Sequence, residues 1–132
     1  MTLRKIITPD VPEPPGGVYS NCLVFGDQIF LAGMVASGPD GRALGGADVY
    51  EQSKVVLGRI RTLLEAAGAT MRDVVKITVY LTDVTKRADF GRARTEFFVE
   101  PRPCSTLVEV KALVSPDLLV EVDAVAIRGA GA

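Results

Sequence analysis

The chain contains no histidine and no tryptophan, and only two cysteines among its 132 residues. Without histidine there is no Ser-His-Asp or Cys-His pair, no imidazole general base and no His-containing zinc site. Cys22 and Cys104 stand far apart with no CxxC, which allows one disulfide at most and no disulfide scaffold. No apolar run is long enough to span a bilayer. Met1 leads directly into Thr-Leu-Arg-Lys with no apolar signal core, and the expectation is a soluble cytoplasmic protein with no membrane partner. Neither sign of charge prevails, with 15 basic against 16 acidic residues. At a pI near 5.4 there is no positive field to gather phosphate backbones, so a nucleic-acid partner is disfavoured. Chemistry falls to Asp, Glu, Lys, Arg, Tyr, Ser, Thr, Cys or the backbone.

What is present is ordinary globular material: 48% apolar and 23% charged residues. The length fits one domain, residues 1–132, which can bury roughly two thirds of its unfolded surface without a metal or disulfide. Residues 3–7 read as a short edge strand. Four prolines and two glycines between Thr8 and Gly17 forbid a ladder and impose an extended loop. Gly26-Asp27 between two apolar runs signals a hairpin. Asp48–Ala67 reads as a helix, with Val49, Val56, Ile60, Leu63 and Ala67 on one stripe, Asp48 and Glu51 at its start and Gly68 at its stop. Gly58 inside it suggests close packing on a sheet.

Val75, Ile77, Val79 and Leu81 alternate with Lys76, Thr78 and Tyr80, the pattern of a half-buried strand. Thr85–Phe98 reads as a second helix with Phe90, Ala93, Phe97 and Phe98 inward. Residues 105–111 and 118–127 read as the last two strands, joined around Ser115-Pro116-Asp117, and residues 129–132 as a frayed tail. The expected class is α+β: a mixed sheet with both helices on one face. Leu107, Val125 and Ile127 make the other face partly apolar too, so a second copy of the chain is expected to cover it.

Glu121 and Asp123, two apart on a strand, point to one face. If the last two strands pair as a hairpin, Glu109 falls near Glu121. Such carboxylates are either a solvated, salt-bridged face or, with a pKa raised by desolvation, a general base. Tyr19, after the Pro/Gly loop, fits a pocket wall or an ordinary packing tyrosine. Cys104, with no histidine to ionise it, reads as a buried, inert thiol. Arg59, Arg61, Arg87, Arg92 and Arg94 read as solvated helix faces.

Several segments together resemble the RidA (YjgF, L-PSP endoribonuclease) family over essentially the whole chain. They are Gly17-Val-Tyr-Ser, Ile29-Phe-Leu-Ala-Gly33, Glu51-Gln52, Leu64-Glu-Ala-Ala-Gly68, Asp73 to Asp83, Val108-Glu-Val110 and Leu119 to Ala126. The resemblance implies a chorismate-mutase-like fold and a homotrimer with ligand clefts between subunits. It implies hydrolysis of reactive enamines and imines to 2-keto acids and ammonia, with no cofactor. An Arg would clamp the substrate carboxylate, a Glu would position water and a Tyr would complete the cleft. Carried onto this chain, the Tyr is Tyr19, the Glu is Glu121 and a backbone position is Gly33. The clamp position holds Ser105, followed by Thr106 and Leu107, and the family's second-helix Asn is Gly91. Arg102, on the Pro-flanked loop, is one candidate substitute for the clamp, and an Arg supplied by a neighbouring subunit is the other. The expected function is an imine or enamine deaminase; the alternative is a small-molecule-binding trimer without catalysis. The ribonuclease activity in one family name is disfavoured by the acidic pI and the missing histidine.

Overall fold

The computed structural model describes residues 1–132 as one α+β unit. Its strands are β1 (Arg4–Lys5), β2 (Cys22–Phe25), β3 (Gln28–Met34), β4 (Val74–Leu81), β5 (Cys104–Glu109) and β6 (Val120–Ile127). Its helices are α1 (Val49–Ala66) and α2 (Arg87–Phe97). They form one six-stranded sheet in the order β1-β2-β3-β6-β4-β5. Both helices lie against one face, and α1 also packs along α2.

Local chemistry accounts for the element ends. Gly26 adopts φ +62° and turns β2 into β3 with Phe25 opposite Gln28, as a two-residue hairpin requires. Asp48 caps α1 by accepting the Glu51 N–H at 3.0 Å. Gly68, at φ +79°, ends it. The whole predicted stripe of α1 is buried in a cluster of 27 apolar residues. No helix is long and apolar enough to cross a membrane.

The topology departs from the sequence reading in one place that matters. β5 and β6 are not a hairpin. β5 pairs in parallel with β4, the two being joined through α2, and β6 returns antiparallel between β3 and β4. The composition explains the choice. Val120, Val122, Ala124 and Ala126 are all buried, which suits a central slot. The more polar run Cys104-Ser-Thr is exposed and occupies the edge. Glu109 is therefore registered with Leu81, not Glu121, and its carboxylate accepts the Val84 N–H at 2.9 Å.

Four smaller readings also change. A register shift between Val74 and Lys76 turns Val74, rather than Val75, into the core. Cys104 is exposed rather than buried, because it opens an edge strand, and both cysteines are free. The tail is anchored: the Gly131 N–H donates to Asp73 Oδ1 at 2.9 Å, and Arg128 reaches the Ala67 carbonyl at 2.7 Å. Nothing lies within 4 Å of a Cβ built on Gly58, so that glycine marks no close approach.

Candidate functional site

The sheet has a helix-covered face and an open face. Strand register places Tyr80, Glu121 and Val108 in one row of the open face, and Thr78, Asp123 and Thr106 in the next. Glu121 and Asp123 thus share a face, as their spacing predicts. The Tyr80 hydroxyl donates to Asp123 Oδ2 at 3.2 Å. Burial, then the charge of Asp123, push the Glu121 carboxyl above its ordinary value of 4.5. Glu121 is half-buried and takes part in no salt bridge.

Gly33 belongs beside it. A Cβ at Gly33 would overlap Glu121 Oε2 and stand 2.7 Å from its Cδ, so the absence of a side chain is what admits the carboxylate. The register shift between Leu31 and Met34 bends β3 at this point. Gly33 also lines a small cleft of about 60 Å³ with Tyr19, Asn21, Met34 and Arg59. Asn21 is buried and donates to the Pro12 carbonyl at 2.9 Å, which ties the proline loop to β2 and sets the cleft wall. Tyr19 is 54% exposed, so its ring and hydroxyl remain available to a ligand. Gly33 thus adjoins both Glu121 and the cleft that Tyr19 lines.

Ser105 lies elsewhere. It alternates with Thr106 on β5 and faces the helix side of the sheet, where its Oγ accepts Arg94 Nη1 at 3.1 Å. Thr106 lies on the open face, in the row of Asp123. Arg102 precedes β5 and is ion-paired with Glu100 two residues away. Within a single chain, Ser105 and Glu121 point to opposite sides of the sheet. The residues of the candidate site form two half-sites, one on the open face and one at the β5 edge.

Two arginines read as solvated helix faces are half-buried instead. Arg59 donates to the carbonyls of Val35 and Ser37, at 2.5 and 2.7 Å, and so fixes the segment after Gly33. Arg94 crosses from α2 to β5. Helical periodicity could have flagged Arg94, because it shares a turn with the inward Phe90 and Ala93. Nothing local in the sequence marks Arg59 as a loop anchor. The larger depressions, such as one of about 250 Å³ between Asp48, Asp83, Lys86 and Arg92, share no lining residue with either half-site. No group of three or more Cys, Asp or Glu side chains could hold a metal.

Residues 11–128 match the family model described as Endoribonuclease L-PSP. A RutC family protein of Pyrococcus abyssi is 38% identical over 97% of this chain and 99% of its own. An Escherichia coli protein named "Putative reactive intermediate deaminase TdcF" is 29% identical over 97% of this chain and all of its own. A crystal structure of a Pseudomonas aeruginosa protein of unknown function superposes with a TM-score of 0.86 at 40% identity, covering 97% of this chain and 94% of that one.

Proposed function

Since the chain belongs to the endoribonuclease L-PSP family, we propose that it hydrolyses a small reactive enamine or imine to a carbonyl compound and ammonia. The observation that carries this reading is the Glu121 carboxylate: half-buried, outside any ion pair, raised in pKa, and seated where Gly33 makes room for it. A carboxylate so placed is a stronger base than an exposed one and can accept a proton from water. An enamine first takes a proton on carbon and gives one up from nitrogen, becoming the imine. Glu121 then accepts a proton from water as the water oxygen bonds to the imine carbon, and the C=N π pair moves to nitrogen. The proton held by Glu121 passes to that nitrogen, giving the carbinolamine. Glu121 then takes the new hydroxyl proton and hands it to the same nitrogen, the oxygen pair forms the C=O bond as the C–N bond breaks, and ammonia leaves. Tyr19 and the Gly33 backbone line the substrate, and the scheme calls on no metal or cofactor.

The second half-site comes from another copy of the chain in this reading. Leu23, Phe30 and Val125 sit in register on the open face, and Phe30 is 42% exposed. An apolar strip of this kind calls for cover, as does the exposed β5 edge. A homotrimer with three shared clefts supplies both, bringing Ser105, Thr106 and Arg102 of one copy toward Glu121 of the next. The partners are then further copies and a small molecule, not nucleic acid or membrane, and the setting is the cytoplasm.

The test is the decay of 2-iminopropionate, generated by an amino-acid oxidase acting on alanine. The wild type accelerates the decay. Glu121→Gln keeps the fold and the assembly and loses about a hundredfold or more in rate, in keeping with removal of a positioned base. Retained activity in that variant rules out the mechanism. A wild type that never accelerates decay moves the function to binding.

A further inference from the structure

Arg94 combines a half-buried position, an aromatic stack and the lack of a carboxylate partner. Its guanidinium lies 4.7 Å from the ring centroid of Phe90, a fully buried side chain, so the stack holds it in place. One terminal nitrogen donates to Ser105 Oγ at 3.1 Å. Arg92, Arg102 and Arg128 each pair with a carboxylate, whereas Arg94 pairs with none. Arg59, another half-buried guanidinium, spends both terminal nitrogens on backbone carbonyls. Burial also works against Arg94's charge.

A guanidinium carries five donors, and Arg94 spends a single one on the protein, its other nitrogens being open to solvent and so to a ligand. Arginine in the last turn of a helix has an ordinary use, since it complements the helix dipole. That use does not explain a side chain that leaves its helix for the hydroxyl of a neighbouring strand. The approach to it is also clear. Gly91, one turn earlier on α2, has nothing within 4 Å of where its Cβ would stand, and Ser105 is small and exposed.

We propose that Arg94 is the carboxylate-binding residue of the cleft. Its fork meets both oxygens of an α-imino acid, and the Ser105 hydroxyl, already accepting from Arg94, donates its own hydrogen to one of them. Arg102, held by Glu100, is not needed for this task. The assignment rests on the deaminase reading above and fixes its substrate class as 2-imino carboxylates.

The experiment pairs 2-iminopropionate turnover with calorimetric binding of pyruvate, the corresponding product, in the wild type, Arg94→Gln, Arg94→Lys and Glu121→Gln. Arg94→Gln is expected to raise KM and weaken pyruvate binding about tenfold to a hundredfold, as loss of a charge-assisted bidentate contact does. Arg94→Lys keeps the charge without the fork and recovers only part of this. If Arg94→Gln does not fold, Arg94→Lys carries the comparison. Glu121→Gln loses turnover but still binds pyruvate. Unchanged KM and pyruvate affinity in the Arg94 variants overturn the assignment while leaving the deaminase reading intact. Arg94-dependent pyruvate binding without turnover overturns the deaminase reading and keeps Arg94. Absence of both turnover and pyruvate binding in the wild type overturns both.

Discussion

Glu121 and Gly33 act as a unit, and their geometry predicts what breaks when either changes. Gly33→Ala places a methyl group where Glu121 Oε2 now lies. The obstacle is the end of a flexible side chain, so the carboxylate swings away and the fold survives. Misplacing a catalytic group by about 1 Å costs on the order of a hundredfold in rate. Gly33→Ala is therefore expected to lose most of its imine hydrolysis with its melting temperature nearly unchanged, and activity set against thermal unfolding separates the two. The raised pKa of Glu121 has its own consequence. The fold favours the protonated form, so the stabilisation from this group is complete below its unfolded value and is lost as pH rises through the folded one. Above its folded pKa the wild type carries a partly buried charge that Glu121→Gln lacks. The variant should melt higher at pH values above the folded pKa, with the gap closing as pH falls toward the unfolded value of about 4.5 and absent below it, and melting curves across that range would show it. Residue identity makes Glu121, Asp123 and Tyr19 legible as candidates. It does not reveal Arg94, whose role depends on a strand that pairs across the sheet.

At the scale of elements, α1 is where local signals and tertiary structure agree most fully. Its cap, stripe and stop are all as the sequence implies, because each is an i to i+4 matter settled within the helix. Gly58 is the exception. With open space at its Cβ, it has no packing reason, and Gly58→Ala is expected to stabilise the protein by about 0.5–1 kcal/mol. Chemical denaturation would measure it, and a destabilised variant would mean that a neighbour seats against this face. Gln52, one turn into α1, is fully buried and bonds Gly46 O, Asp117 O and Leu119 N–H at 2.7 to 2.9 Å. It thereby fixes the loop that delivers the chain from β5 to β6. That loop is where the sequence reading fails, because two strands joined by ten residues can pair as a hairpin or part, and alternation alone does not choose. The polarity of β5 against the small apolar set of β6 carries the choice. The same ambiguity sets Glu109 beside Glu121 in a hairpin and obscures which side of the sheet Ser105 faces.

For the whole molecule, the proposed site is divided. Glu121 and Gly33 look out from the open face, while Ser105 and Arg94 sit on the helix side of the edge strand. One chain cannot bring them together, and an apolar open face beside an uncovered edge invites a second chain to do so. The two-sided apolar pattern of the strands is legible in the sequence alone. The most direct measurement is complementation. Glu121→Gln disables one half-site, and Ser105→Trp plugs the other at an exposed position where a large ring is tolerated. Each variant alone should be inactive on 2-iminopropionate. Co-expressed in equal amounts, they should form mixed assemblies in which about a quarter of the clefts combine two intact halves, with activity recovered to match. Assemblies shown to be mixed that recover no activity would contradict a site shared between chains.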